Sequence, residues 1–218
     1  MIRHHTALAM RLRSWSLPLL AVAALSAEGT AAQSRPITLG GLGGWVQNTP
    51  VWNRGFETES VGGLVLGAWV NVPTPVPWLS VTAEAAFTQR GSGTFLDPAE
   101  VPGALGVSPI RTDYVTASVL PRGTLEVGAL RLHAATGPTM DLLLRSRVDV
   151  VLEPELDEPA TAVFAWTAGV GIGMDVGTGW VAEIEARIVE GLSSAYSGDL
   201  GTLRNRSIEV LARVGVTR

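Results

Sequence analysis

Trp180-Val181-Ala182-Glu183-Ile184-Glu185-Ala186-Arg187-Ile188-Val189 alternates between two kinds of side chain. Trp180, Ala182, Ile184, Ala186 and Ile188 are apolar and uncharged. Val181, Glu183, Glu185, Arg187 and Val189 include charges of both signs. A β-strand sends successive side chains to opposite faces, so this segment reads as a strand with one apolar and one charged face. Which face meets water decides the fold. An apolar interior describes a soluble barrel, and an apolar exterior describes a barrel that crosses a membrane.

The same period of two recurs along the chain. Candidate strands lie at 37–46, 60–72, 78–90, 112–121, 129–145, 163–176, 180–189 and 205–217. The third sets Leu79, Val81, Ala83, Ala85 and Phe87 against Ser80, Thr82, Glu84, Thr88 and Arg90. The eighth sets Ile208, Val210, Ala212, Val214 and Val216 against Ser207, Glu209, Leu211, Arg213 and Gly215. Connections at 47–59, 91–111, 146–162 and 193–204 are long and polar. Those at 73–77, 122–128 and 177–179 are short and rich in Pro or Gly, the residues that make tight turns. An even number of antiparallel strands, with short turns at one end and long loops at the other, is the pattern of an outer-membrane barrel. On that pattern the short turns and both termini lie in the periplasm.

Three features favour an apolar exterior. The apolar parity stays uncharged over nine or more residues in the third, sixth and seventh strands, and a transmembrane strand needs about 9–11. The opposite parity of the sixth strand is Ala165, Thr167, Gly169, Gly171 and Gly173, small residues that suit a narrow lumen better than a solvated surface. The polar parity also mixes signs. Glu84, Asp141, Asp175, Glu183, Glu185 and Glu209 can pair with Arg90, Arg131, Arg145, Arg187 and Arg213, with His133 beside them. Buried charges need such partners. These twelve residues are the expected lumen network. Trp166, Trp180, Ile184 and Ile188 are expected to face lipid. Trp45, Trp69, Trp78, Trp166 and Trp180 near strand ends suggest an interfacial girdle.

The N-terminus reads as an export signal. Arg3, Arg11 and Arg13 precede an apolar run from Leu17 to Leu25, and Thr30-Ala31-Ala32 offers a small-residue cleavage site. Residues 1–32 are therefore expected to be a signal peptide, with 33–218 forming one barrel domain. Without residues 1–32 the chain has 13 basic and 19 acidic residues, a net charge of −6, which argues against nucleic acid as a partner. There is no Cys and no Lys, and beyond the signal the one His is His133. Thiolate metal sites and disulfides are excluded, as is a His-based zinc site.

Several stretches resemble the outer-membrane β-barrel family that includes PorT-like proteins and the small eight-stranded OmpX- and OmpA-like barrels. They are Ala83-Glu84-Ala85-Ala86-Phe87-Thr88-Gln89-Arg90-Gly91, Tyr114 through Leu120-Pro121, Gly137-Pro138, and Asp175 to Gly179 before the amphipathic seventh strand. The likeness covers roughly residues 36–217. It implies an all-β fold: a single antiparallel eight-stranded up-and-down transmembrane β-barrel. Such barrels commonly end in an aromatic residue, whereas this chain ends Val214-Gly215-Val216-Thr217-Arg218.

Sequence signals for catalysis are weak. No Gly-x-Ser-x-Gly elbow is present, and the parity of His133 points it into the lumen. Gly40-Gly41-Leu42-Gly43-Gly44 lacks the Lys-Ser/Thr of a phosphate loop. Asp149, Glu153, Glu155, Asp157 and Glu158 do not follow the spacing of a calcium loop and read as a solvated acidic loop. The expectation is a non-enzymatic barrel in the bacterial outer membrane, structural or adhesive, with a plugged polar lumen and no cofactor. Its expected partners are outer-membrane lipid, the barrel-assembly machinery and an unidentified extracellular partner reached by the loops. A soluble periplasmic barrel holding a small apolar ligand is the second reading, and a lipid-modifying barrel enzyme the third.

Overall fold

The structure is a computed structural model and describes residues 36–53, 58–96, 106–148, 159–198 and 201–218. The expected signal at 1–32 and the acidic stretch at 149–158 lie outside the described residues. Among the described residues there are ten strands: β1 (Thr38–Asn48), β2 (Val51–Trp52), β3 (Thr58–Pro73), β4 (Leu79–Leu96), β5 (Gly106–Val127), β6 (Leu130–Val148), β7 (Ala162–Asp175), β8 (Trp180–Gly191), β9 (Leu203–Arg204) and β10 (Arg206–Thr217).

Eight of these close into an antiparallel barrel in the order β1-β10-β8-β7-β6-β5-β4-β3. Each barrel strand pairs with its neighbours in the chain, and β1 seals the cylinder against β10 from Thr38↔Thr217 to Asn48↔Ser207. Closure gives each of the eight barrel strands a neighbour on both sides. The short β2 and β9 pair with each other at the long-loop end.

Local sequence explains the hairpins. Gly128, Gly177 and Gly179 sit at positive φ in the short turns between β5 and β6 and between β7 and β8, where L side chains are strained. Between β3 and β4, Thr74 Oγ1 donates to Leu79 O at 2.9 Å and accepts from Val76 N at 3.2 Å. That side chain replaces backbone partners which Pro75 and Pro77 cannot supply.

The polarity of the barrel is inverted relative to a soluble domain. Ile184 is 60 % exposed on the outer wall, whereas the side chain of its neighbour Glu185 is fully buried. Leu66, Val119, Phe164, Val170, Ile188 and Val214 are likewise exposed outward, and Thr82, Thr88, Thr116 and Thr167 are buried inward. The interior is not wholly polar. Leu42, Val46, Val65, Trp69, Ala86 and Leu211 form an apolar cluster inside, on β1, β3, β4 and β10. A second apolar cluster caps the long-loop end, where Trp52, Ile110, Tyr114, Val163, Ala195, Tyr196 and Leu203 come together.

Several strands outrun the sequence boundaries. β4 continues to Leu96, and β5 continues through Arg122 to Val127, where the sequence suggested a strand ending at Pro121 and a loop after it. Proline misleads here because Pro121 lies on the outward parity, between inward Leu120 and Arg122, so it reads as a stop without being one. In β6 the pairing with β5 slips between Asp113↔Arg145 and Tyr114↔Leu143. The extra residue, Leu144, is a β-bulge, and a bulge reverses the parity of everything beyond it.

The glycines of β1 are required by the seam. A Cβ at Gly40 would stand 2.0 Å from the carbonyl oxygen of Val214, and one at Gly44 would stand 2.1 Å from that of Val210. At Gly43 the nearest atom would be 3.7 Å away. Gly40→Val and Gly44→Val are therefore expected to lower the yield of closed barrel sharply, and Gly43→Val to leave it nearly intact. Mobility of unheated and heated samples in SDS gels reads this directly; equal yields for all three would contradict the close seam.

Candidate functional site

The densest chemistry in the described residues is the ionic network inside the barrel. Inward parity on β4 supplies Glu84 and Arg90, β5 supplies Arg122, and β6 supplies His133 and Asp141. β8 supplies Glu183, Glu185 and Arg187, and β10 supplies Glu209 and Arg213. All ten are buried.

Eight of these groups form a continuous chain across the lumen, and Arg122 and Glu183 form a separate pair. His133 Nε2 lies 3.1 Å from Glu185 Oε2. Arg213 Nη2 donates to Glu185 Oε1 at 3.1 Å and also to Glu84. Arg187 donates through Nη1 to Glu84 Oε2 and through Nε to Glu209 Oε2, each at 2.6 Å. Arg90 Nη2 stands 3.6 Å from Glu209 Oε1 and 3.2 Å from Asp141 Oδ2, and Arg90 Nη1 donates to Ser207 Oγ at 2.5 Å. Toward the short-turn end, Arg122 grips Glu183 with both terminal nitrogens, at 3.0 and 2.6 Å.

A ladder of hydroxyls joins this chain to β5, β6 and β7. The Thr116 hydroxyl donates to Asp141 Oδ1 at 2.6 Å and stands 3.0 Å from Thr88 Oγ1. Ser118, Thr139 and Thr167 continue it at 3.0 and 2.7 Å. Small residues make room for the long ones. A Cβ on Gly171 would fall 2.4 Å from the His133 ring, and one on Gly169 would fall 2.9 Å from Arg187 Cβ.

The arrangement is built to neutralise desolvated charge. Five buried carboxylates (Glu84, Asp141, Glu183, Glu185, Glu209) face four buried guanidiniums, with His133 beside Glu185. Among the described residues no group of three or more His, Cys, Asp and Glu could hold a metal ion. Arg213 also lies 5.9 Å from the Trp69 ring centroid, within cation–π reach.

Water-accessible space lies at the short-turn end. A polar vestibule of about 600 Å³ is lined by Thr38, Asn71, Ser80, Thr124, Glu126 and Arg131 among others. It narrows to about 40 Å³ beside Trp69, Arg122 and Glu183. The larger apolar hollows, about 810 and 610 Å³, lie along the outer wall beside Leu132, Val170, Ile172, Ile184 and Ile188.

Nine of the twelve residues expected in the lumen are buried inside it, Arg131 is half-buried at its mouth, and Arg145 and Asp175 are exposed. Arg145 is exposed on the outer wall, because the bulge at Leu144 flips its parity. Asp175 keeps its parity, but it ends β7 at the open rim with its side chain 70 % exposed, paired there with half-buried Arg131. Trp69 is a correction to the girdle: it is buried inside, its Nε1 donating to Gly41 O at 3.1 Å. Trp45, Trp78, Trp166 and Trp180 are exposed outward, as are Ile184 and Ile188. The interior residue missed by sequence reasoning is Arg122. Its signal lies in the alternation Leu120, Arg122, Thr124, which continues past Pro121. The cap at the long-loop end carried no sequence signal. There Tyr196 bonds Ser146, and burial pushes its phenol pKa up, against that hydrogen bond.

No protein-family model and no curated protein matches the sequence. Solved structures do match the fold. The outer membrane protein OprG from Pseudomonas aeruginosa aligns with a TM-score of 0.54 at 12% identity, over 84% of this chain and 93% of that one. Neisserial surface protein A aligns with a TM-score of 0.49 at 11% identity, over 84% and 97%. The outer membrane protease OmpT from Escherichia coli aligns with a TM-score of 0.41 at 10% identity, over 88% and 99%. The likeness to OprG carries the fold, a closed antiparallel barrel of the kind that the sequence resemblance implied.

Removing one member of a buried charge network strands its partners. Arg213→Met leaves both Glu84 and Glu185 short of a cation, and is expected to lower stability by about 3–5 kcal/mol. Arg206→Met breaks only an exposed pair with Glu190 and is expected to cost under about 1 kcal/mol. Urea unfolding in detergent micelles, followed by Trp fluorescence, checks both; similar losses would mean that the interior pairs are as solvated as the exterior one.

Proposed function

We propose that this chain is a non-enzymatic barrel of the bacterial outer membrane, with its interior closed by side chains. The inverted polarity carries the proposal. On β8 the outward residues from Trp180 to Ile188 include no charge, while Glu183, Glu185 and Arg187 point inward. On β10 the same holds from Val216 to Ile208, with charge appearing outward at Arg206. An apolar band about 25 Å tall is what a transmembrane barrel presents to lipid. A soluble carrier of apolar ligands would place that surface inside, where this barrel has ion pairs.

The short turns then face the periplasm and the long loops face outward. Trp45, Trp78, Trp166 and Trp180 suit the two membrane interfaces, where an indole has one apolar and one wet side. The ionic chain and the apolar cap around Trp52, Tyr114 and Tyr196 fill the described interior, which supports a closed lumen and a structural or adhesive role carried by the outer loops. Lipid and the barrel-assembly machinery are the partners this reading requires. The interior arrangement supports a structural role: His133 is buried and bonded to Glu185, which is itself held by Arg213.

Three measurements test the reading. Cell fractionation is expected to place the protein with outer membranes, and recovery from the soluble periplasm would overturn the membrane assignment. In planar bilayers the purified barrel is expected to show no large stable conductance; a steady open channel would overturn the closed interior. Ile184→Arg, which puts a cation on the outward face at an expected cost of about 2–4 kcal/mol at mid-membrane depth, should impair assembly far more than Glu185→Gln. Equal tolerance of the two changes would mean that the faces are reversed.

A further inference from the structure

Arg111, Arg145 and Arg147 form an exposed basic patch on the outer wall of β5 and β6. Arg111 and Arg147 stand directly opposite each other in the ladder, and Asp113 stands opposite Arg145. Opposed residues have Cα atoms only about 5 Å apart, and like charges so placed destabilise the sheet. Asp113 does not offset them alone, since it also accepts from Gln89 Nε2 at 3.4 Å. Among the described residues the three guanidiniums have no hydrogen bond or ion pair. Exposed Arg206, by contrast, is held by both oxygens of Glu190, at 2.7 and 3.0 Å.

The patch is a product of the bulge. Without Leu144 as an extra residue, Arg145 would point inward with Asp141; with it, Arg145 joins Arg111 and Arg147 outside. Bulges that re-aim a side chain commonly mark functional positions. Just below the patch the same outer wall is apolar, with Val115, Leu142 and Leu144 exposed or nearly so. An occupant that satisfies both levels has negative charge at the arginines and hydrocarbon beneath them.

We propose that Arg111, Arg145 and Arg147 clasp the phosphate-bearing headgroup of an outer-leaflet lipid whose chains run down the wall past Leu144, Leu142 and Val115. The guanidinium fork matches phosphate oxygens in pairs, and the three arginines occupy neighbouring ladder positions on the outer wall. An anion between Arg111 and Arg147 also relieves their repulsion. The inference rests on the membrane-spanning reading and names a lipid class for that surface.

Native mass spectrometry of the full chain, released from micelles containing bisphosphorylated lipid A or phosphatidylcholine, tests the clasp. The protein is expected to retain lipid A selectively. Arg145→Gln with Arg147→Gln is expected to lower that retention by about twentyfold, from the usual gain per basic residue at an anionic surface, and Arg206→Gln to leave it unchanged. Undiminished retention in the double variant would overturn the proposal. So would displacement of the lipid by millimolar inorganic phosphate, which would make this a site for soluble anions. Selectivity that appears only after Glu153, Glu155, Asp157 and Glu158 are changed to their amides would assign the arginines to the chain's own acidic segment. Flotation with phosphatidylcholine vesicles keeps the two readings apart. A protein that fails to float overturns the membrane assignment, whereas one that floats without lipid selectivity overturns the clasp alone.

Discussion

Glu84 binds two guanidiniums, Arg187 binds two carboxylates, and Arg213 ties Glu84 to Glu185. This shared pairing is the constraint on which the rest of the barrel depends. An isolated buried charge costs several kcal/mol, and mutual attraction offsets that cost only where the geometry is good and remaining hydrogen-bonding positions are filled. The hydroxyls of Thr116 and Ser207 fill some of them here. The small residues of β7 follow from the same need, because Gly169 and Gly171 leave the space that Arg187 and His133 occupy.

Closure of the sheet makes this interior tolerable. In a barrel every backbone donor and acceptor of the wall finds a partner in a neighbouring strand, so the wall can face lipid without an exposed edge. The seam between β1 and β10 is the last pairing in the order, and the glycines of β1 let it close tightly. The inner apolar cluster around Trp69 and Leu211 lies at this seam, so packing holds the side of the barrel where the ionic chain supplies fewer contacts. Fold and charge network are thus mutually dependent: the network needs a closed, narrow lumen, and the lumen needs residues that fill it without stranding charge.

The two ends of the barrel differ in how they stop. At the short-turn end the lumen opens as a polar vestibule that narrows at Arg122 and Glu183. At the long-loop end, β2, β9 and Tyr196 fold over the mouth, with Ala160 N donating to Ala195 O at 3.0 Å and Ala195 N to Leu203 O at 2.8 Å. The taller wall of β4, β5 and β6 rises on that side, and the arginine patch stands on it, just above the apolar belt.

The sequence alone determined that Trp180, Ala182, Ile184, Ala186 and Ile188 share one face with no charge and that Glu183, Glu185 and Arg187 share the other. That is a local property: strand geometry has a period of two, so parity is legible wherever the strand is regular. From eight such strands and alternating loop lengths the barrel followed. The tertiary structure alone decided who pairs with whom. That Glu84 meets Arg187 and Arg213 depends on ladder register and on which walls face each other across the lumen, and neither is a local quantity. It also decided where parity fails. A single extra residue at Leu144 sends Arg145 outward, and an inserted residue within three successive leucines leaves no mark in the sequence until the partner strand is known. The inward turn of Trp69, by contrast, follows its parity opposite Leu64, Leu66 and Ala68; the tertiary structure adds the hydrogen bond to Gly41 and Arg213 above its ring. Arg122 stood between these cases: its parity was readable, but its strand was ended at a proline that the outer wall accommodates.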